Sequence, residues 1–149
     1  MKRKKGTLTI PSLNISVALY EGDNTQMIVD DLDSAVWFRL GVQDCIADHC
    51  HQGGFSRIAE AKPGKTTAWV TTSAGKTLYT CIRSETGRLV NESGKHYLRD
   101  AHIQPVYQQN AGGLCIYTCT GKSDSSITYV HLTYWRKEAL TSIKSTMKK

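Results

Sequence analysis

The chain has 149 residues, with 19 Lys and Arg against 13 Asp and Glu, a formal charge of +6 and 40% hydrophobic residues. This length supports one domain with its own core, because a chain of this size buries roughly two-thirds of its unfolded surface. Seven basic residues lie among the first five and last six positions, leaving 12 basic against 13 acidic in the body, which argues against a basic nucleic-acid-binding face.

Short strands dominate the predicted elements. Strand signals occur at eight places in chain order, at residues 7–10, 15–20, 45–47, 67–72, 77–82, 96–98, 113–119 and 127–135. The runs at 67–72 and 77–82 are rich in β-branched and aromatic residues and are joined by four residues containing Gly75. They therefore predict a β-hairpin.

Helical patterning is weaker and is confined to two places. Asn24 or Thr25 is a plausible N-cap for a helix whose apolar residues follow a 3.6-residue period, namely Met27, Ile28, Leu32, Ala35, Val36 and Leu40. A short frayed helix is predicted near the C-terminus, at 138–147. Many short strands with few helices predict a mostly-β barrel or sandwich at 7–136, between basic tails at 1–6 and 137–149.

No segment is predicted to cross a membrane or direct export. The longest uninterrupted apolar runs span four residues, as at 17–20 and 35–38, whereas a spanning helix needs about 20. The basic start is followed by Gly-Thr-Leu-Thr-Ile-Pro, not by the apolar stretch of a secretory signal. As written, the chain therefore predicts neither an export signal nor an anchor, which fits a cytoplasmic location.

Cysteine chemistry is the main candidate activity. Five cysteines at uneven spacing do not indicate a complete disulfide framework, and a nucleophilic cysteine needs a nearby imidazole brought from a distant part of the chain. Cys119 closes the predicted strand 113–119, and His49 closes the strand that begins at Cys45. Both residues are therefore expected at strand ends facing loops, where a substrate can reach them.

The order of several short motifs resembles the sortases, which are cysteine transpeptidases with an eight-stranded β-barrel. Ile46-Ala47-Asp48-His49 is similar to the family pattern I-A-G-H, and Ile116-Tyr117-Thr118-Cys119 to T-L-x-T-C. Ala61-Lys62-Pro63-Gly64 precedes the hairpin, and Ile10-Pro11-Ser12-Leu13-Asn14-Ile15 looks like the family's opening strands. The resemblance extends from about residue 7 to residue 135.

The resemblance implies a thioacyl mechanism. Cys119 would be the nucleophile that attacks a peptide carbonyl, and His49 the acid for the leaving amine and the base for the incoming one. Thr118 matches the family's threonine before the cysteine. The implied partners are a peptide or protein with a sorting motif and an amine acceptor, at the cell surface of a Gram-positive bacterium, with no cofactor.

Three positions bear on how this chain would differ from the family. Sortases carry an arginine at the start of the last strand that holds the substrate and stabilises the oxyanion, and here Ser126 best fills that place, within a residue or so. Lys122 is a flexible partial replacement, because an ammonium lacks the guanidinium's fixed fork of donors. Asp48 replaces the family's glycine, and its carboxylate would raise the pKa of the neighbouring imidazole.

A second cysteine fits the family motif more literally. Thr77-Leu78-Tyr79-Thr80-Cys81 matches T-L-x-T-C, with Arg88 downstream. Cys81 lies in the second arm of the hairpin, with more than sixty residues still to follow, whereas the sortase cysteine is followed by little more than one strand. We therefore favour Cys119.

Other interpretations remain open. The runner-up is a sortase-fold binding or assembly module that has lost catalysis. Metal-type ligands cluster at Cys45, His49, Cys50 and His51, but without the paired knuckles of a structural zinc site, so no metal is predicted. His96, His102 and His131 have no predicted partner and are expected to be surface or structural residues. A nucleic-acid-associated domain predicts salt-dependent binding through the tails.

Overall fold

Nine β-strands account for most of the described chain. The computed structural model describes residues 3–21, 34–40, 43–48, 57–92, 95–102, 106, 113–124 and 127–138. The strands are β1 (Arg3–Ile10), β2 (Ile15–Glu21), β3 (Ser34–Leu40), β4 (Gln43–Asp48), β5 (Thr67–Thr72), β6 (Gly75–Glu92), β7 (Lys95–Arg99), β8 (Leu114–Asp124) and β9 (Ile127–Lys137). Short 3₁₀ helices occupy Pro11–Leu13 and Ile58–Glu60. Within the described residues, no helix has the length and apolarity to span a membrane.

Eight of these strands close into a barrel. They are hydrogen-bonded in the order β5-β1-β2-β3-β4-β8-β9-β6, and β6 pairs back with β5. Closure leaves no exposed edge within the ring. The long β6 extends past its pairing with β5, and there β7 pairs with it from Arg88 to Glu92. The predicted mostly-β barrel is confirmed, with β7 as a ninth strand outside the ring.

Two clusters of buried side chains lie on opposite faces of the strands. The inner core takes residues from every strand of the ring, including Leu8, Val17, Ile46, Ile116 and Trp135. The second, which we call the outer cluster, draws on β3, β4, β7, β8 and β9 together with Val106; it comprises Val36, Cys45, Ala47, Leu98, Val106, Cys115, Tyr117, Val130, Leu132 and Tyr134. Because successive strand residues point to opposite faces, β4, β8 and β9 are buried on both sides.

The predicted hairpin is confirmed, with a shorter connection than the sequence suggested. Thr67–Thr72 and the start of β6 pair antiparallel, from Thr67 with Thr80 to Thr72 with Gly75. Only Ser73 and Ala74 separate the two strands, and Gly75 has a φ of +124°, a conformation that L side chains rarely adopt.

The helix predicted near residues 24–40 is wrong for its second half. Residues 34–40 form β3, which pairs parallel with β2 and antiparallel with β4. Ala35 belongs to the inner core and Val36 to the outer cluster. Because β3 is buried on both faces, its neighbouring residues are apolar, and this run of apolar residues resembles the sequence pattern of a helix. The first half of that prediction, and the C-terminal helix beyond residue 138, lie outside the described residues. At the N-terminus, β1 begins at Arg3, inside the segment predicted as a tail.

Candidate active site

Two neighbouring parallel strands, β4 and β8, bring the candidate motifs together. β4 ends at Asp48, whereas β8 continues past Cys119 to Asp124, so the expectation that Cys119 closes its strand is wrong. β4 and β8 pair in register from Asp44 with Leu114 to Asp48 with Thr118. Thr118 precedes Cys119 in the chain, and Asp48 precedes His49. His49 lies outside the described residues, as do the side chain of Asp48 and all of Ser126. The register therefore aligns the two predicted motifs up to the residue before each catalytic candidate.

Cys119 lies at the margin of the outer cluster. Cys115 and Tyr117 belong to that cluster, and Cys119 follows on the same face by strand alternation. Cys119 is half-buried, whereas Cys115 and Tyr117 are almost fully buried. Burial raises the pKa of the Tyr117 phenol well above its usual range, with Cys45, Cys119 and Cys115 nearby adding to the effect. Of these three thiols, Cys119 is the one that solvent reaches.

Cys45 and Cys115 form a buried pair of thiols below Cys119. They are directly opposite one another in β4 and β8, and neither has exposed surface. Burial is the main cause that raises the pKa of the Cys115 thiol well above its usual range, and the hydrogen bond with Cys45 adds to it. A thiol held in its protonated form is a poor nucleophile, which applies to Cys115, and full burial keeps substrate away from Cys45. Both residues are small core side chains.

Cys81, which fits the literal motif, points into the barrel. It has no exposed surface, it belongs to the inner core, and its Sγ donates to the carbonyl oxygen of Arg83 at 3.6 Å. Burial raises the pKa of this thiol. The position inside the core gives a peptide no access to its sulfur.

Thr118 and Lys122 lie on either side of Cys119 in the chain but in different surroundings. Thr118 is 1% exposed and alternates with Cys119, so its side chain faces inward. The β8–β9 register is then interrupted between Cys119 and Ser123, and Lys122 emerges from this bulge as an exposed residue. Neither side chain shares the face of β8 that carries Tyr117 and Cys119 up to the bulge.

Comparison with known proteins identifies the fold. No protein-family model matches the sequence, and no curated protein sequence matches it. Among solved structures, sortase E1 from Streptomyces coelicolor, with a tripeptide in its active site, is similar with a TM-score of 0.66 at 17% identity, over 92% of this chain and 89% of that one. The chain has the sortase fold.

Two further sortases are similar over a comparable share of this chain. A pilus-related sortase C of Group B Streptococcus has a TM-score of 0.64 at 12% identity, and the match covers 92% of this chain and 68% of that one. Sortase A from Corynebacterium diphtheriae has a TM-score of 0.64 at 14% identity, with 94% and 63% covered. The predicted resemblance is confirmed at the level of the fold.

Within this sortase fold, the residue of β9 opposite Cys119 is apolar. Val130 pairs with Cys119 and is fully buried in the outer cluster. Thr128 lies two residues before Val130, is on the same face of β9 by alternation, and is half-buried. Neither position carries a cation, so β9 presents no guanidinium at these two positions.

Four arginines from other parts of the chain, Arg57, Arg83, Arg99 and Arg136, could in principle replace the missing guanidinium, but three of them have partners elsewhere and the fourth lies outside the ring. Arg57 pairs with Glu60 at 2.9 Å, and Arg136 with Glu138 at 3.2 Å. Arg83 pairs with Glu85 and lies 4.9 Å from the centre of the Tyr134 ring. Arg99 belongs to β7, outside the ring.

Sequence reasoning missed the surroundings of His131. A cleft of about 400 Å³ is lined by Thr86, Thr120, Lys122, Tyr129 and His131. Alternation along β9 was the available signal, since Tyr129, His131 and Thr133 interleave with the apolar Val130 and Leu132. That pattern places a row of polar residues on one face of the last strand.

Proposed function

We propose that the protein is a sortase-like cysteine transpeptidase or peptidase acting on a peptide sorting motif. The observation that carries this proposal is the pairing of Asp48 with Thr118. Parallel strands in register bring equivalent positions next to each other, so on this proposal His49, which follows Asp48 in the chain, acts beside Cys119, which follows Thr118 in β8. The sortase fold and the half-exposed position of Cys119 support the same assignment.

The chemistry follows from these two residues. The Cys119 thiolate attacks a peptide carbonyl, and the sulfur–carbon bond forms as the carbon–nitrogen bond breaks, while His49 gives a proton to the leaving amine. An incoming amine, or water, then attacks the thioester; His49 takes its proton and the thiolate is released. A peptide as substrate is also supported by the tripeptide in the active site of the Streptomyces coelicolor sortase E1 structure.

A non-catalytic binding or assembly module is the second candidate. Its specific support is Val130, because an apolar residue opposite Cys119 supplies no charge to an oxyanion. Removing one oxyanion donor typically costs about 10²–10³ in rate. On this second proposal, the protein binds a peptide beside Cys119 and does not form an acyl-enzyme.

A peptidyl chloromethyl ketone tests the first proposal against the second. We expect intact mass spectrometry to show one adduct, which maps to Cys119 and is lost in Cys119→Ala. In His49→Gln the adduct should form at least about 10²-fold more slowly. Cys81→Ser is the matched control and should label like the unmodified protein. Circular dichroism establishes that each variant is folded.

Two results contradict the enzyme proposal. Labelling spread equally over the five cysteines indicates thiols of ordinary reactivity, and an absence of labelling in the folded protein indicates an inert Cys119. Either result favours the binding module.

A further inference from the structure

A polar cleft opens where the inner face of the sheet continues beyond the barrel core. Its lining comes from three adjacent strands, with Thr86 from β6, Thr120 and Lys122 from the bulge of β8, and Tyr129 and His131 from β9. The volume of about 400 Å³ lies within the range of small-molecule sites, roughly 300–1,000 Å³. Mouths of β-barrels are among the places where such sites occur.

This cleft lies on the opposite face of β9 from the one beside Cys119. Val130 and Leu132 belong to the outer cluster, so the interleaved His131 faces the other way, the face that Trp135 shares with the inner core. Thr86 pairs with His131 across β6 and β9. A ligand here would therefore be separated from the Cys119 sulfur by the sheet itself.

The lining offers hydrogen-bond donors and positive charge. Lys122 supplies an ammonium, and the described residues of the lining include no carboxylate. The Thr120 hydroxyl accepts from the Lys122 backbone N–H at 3.1 Å, which leaves its own proton to donate. Arg88 is not part of the lining: its guanidinium lies 5.7 Å from the centre of the Tyr129 ring and donates through Nη1 to the carbonyl oxygens of Asp100 and Ala101 at 3.1 and 2.8 Å. Charge-assisted hydrogen bonds from the donors of the lining favour an oxyanion.

A buried hydroxyl beside the cleft has no partner among the described residues. Thr118 pairs with His131 in the β8–β9 register, is 1% exposed, and its Oγ1 makes no hydrogen bond there. An unsatisfied buried polar group lowers the stability of the fold. Thr118 lies directly opposite His131 and on the same face, next to the cleft but not in its lining.

We propose that the cleft binds an oxyanion, a carboxylate or a phosphate, carried by a small organic molecule. The site is distinct from Cys119, and the proposal does not depend on the proposed function. Lys122 and His131 hold the anion, and the hydroxyls of Thr86, Thr120 and Tyr129 complete the set of donors. Sequence reasoning placed Lys122 beside the thiol, whereas this proposal assigns it to the opposite face.

Titration with inorganic phosphate and with N-acetylglycine, followed by ¹H–¹⁵N NMR, tests the site. We expect saturable shifts of the amides around Thr120, Lys122 and His131. Lys122→Gln and His131→Leu should each weaken binding about 10-fold or more, because the first removes the ammonium charge and the second removes the imidazole N–H donor to the anion. Lys76→Gln is the matched control, since Lys76 is exposed and lies against Trp69 on another part of the barrel.

The two probes and the variants distinguish the possible ligands and test whether the site is separate from Cys119. Stronger binding of phosphate identifies a phosphate-bearing ligand, and stronger binding of N-acetylglycine identifies a carboxylate-bearing one. Cys119→Ala should leave both affinities unchanged, which keeps this site separate from the thiol chemistry. The proposal is overturned if neither probe saturates, if Lys76→Gln weakens binding as much as Lys122→Gln, or if Cys119→Ala abolishes binding.

Discussion

At the scale of single residues, burial separates the described cysteines. Cys45, Cys81 and Cys115 have no exposed surface, whereas Cys119 is half-buried at the end of the outer cluster. Local sequence alone misleads here, because Cys81 carries the more literal motif. The preference for Cys119 over Cys81 as the nucleophile comes from their positions in the chain and stays a prediction. The pairing of Cys45 with Cys115 depends on a register that one sequence does not reveal.

The oxyanion environment gives a prediction at this scale. Thr128 lies on the Cys119 face of β9, is half-buried, and pairs with Ser123 of β8 and Leu89 of β6. A long side chain reaches a diagonal neighbour across strands, so Thr128→Arg should bring a guanidinium toward the Cys119 carbonyl adduct. We expect acylation by a peptidyl nitrophenyl ester to be about 10-fold faster or more.

The matched variant is Thr128→Lys. A lysine adds the same charge without the planar fork of donors, so its gain should be smaller than that of arginine, as measured by release of nitrophenol under single-turnover conditions. Equal rates for Thr128→Arg and the unmodified protein, with both folded, would show that this position does not face the oxyanion.

At the scale of elements, the sequence pattern is sufficient to predict the β5–β6 hairpin but not β3. The β5–β6 hairpin shows alternation and a turn with a glycine, and both of its arms were found. β3 has consecutive apolar residues because Ala35 and Val36 face different clusters. This pattern predicts a helix, although the segment forms a strand. The length of β6, 18 residues, depends on neighbours on both sides and has no local signal.

The contact between Thr80 of β6 and Glu138, the residue after β9, predicts a stability that depends on pH. Thr80 Oγ1 donates to Glu138 Oε1 at 2.5 Å, and Arg136 Nη2 donates to the same oxygen at 3.2 Å. These hydrogen bonds, that of Thr80 first, lower the pKa of Glu138. Because the folded pKa is lowered, this stabilisation is present above the unfolded pKa of about 4.3 and is lost as the pH falls through the folded value.

Thr80→Val tests this contact. The free energy of unfolding should fall by about 1 kcal/mol at pH 7, as for loss of one net hydrogen bond, and the difference from the unmodified protein should shrink below about pH 4. Urea unfolding at both pH values measures it, with Thr77→Val on the same strand as control. A loss that is the same at both pH values would assign the effect to packing instead of to the carboxylate.

At the scale of the whole molecule, the closed topology was expected from a family resemblance and not from the residues alone. Many short strands admit a barrel or a sandwich, and nothing local specifies the two parallel pairings, β2 with β3 and β4 with β8. The second of these pairings creates the candidate site, since it aligns two segments about 70 residues apart in the chain. The polar cleft around His131 likewise requires β6, β8 and β9 together.

Shared strands make the two clusters a single cooperative unit. β4, β8 and β9 each contribute side chains to the inner core and to the outer cluster. Leu132→Ala removes a fully buried side chain of the outer cluster and should lower the free energy of unfolding by about 2–5 kcal/mol. The chain has three tryptophans, so the test uses a background in which Trp37 and Trp69 are replaced by Phe. Since Trp135 lies in the inner core on the same strand, its fluorescence transition should move as far as the far-UV circular dichroism transition. A tryptophan transition that stays in place while the circular dichroism transition shifts would show instead that the barrel interior unfolds independently of the face that carries Cys119.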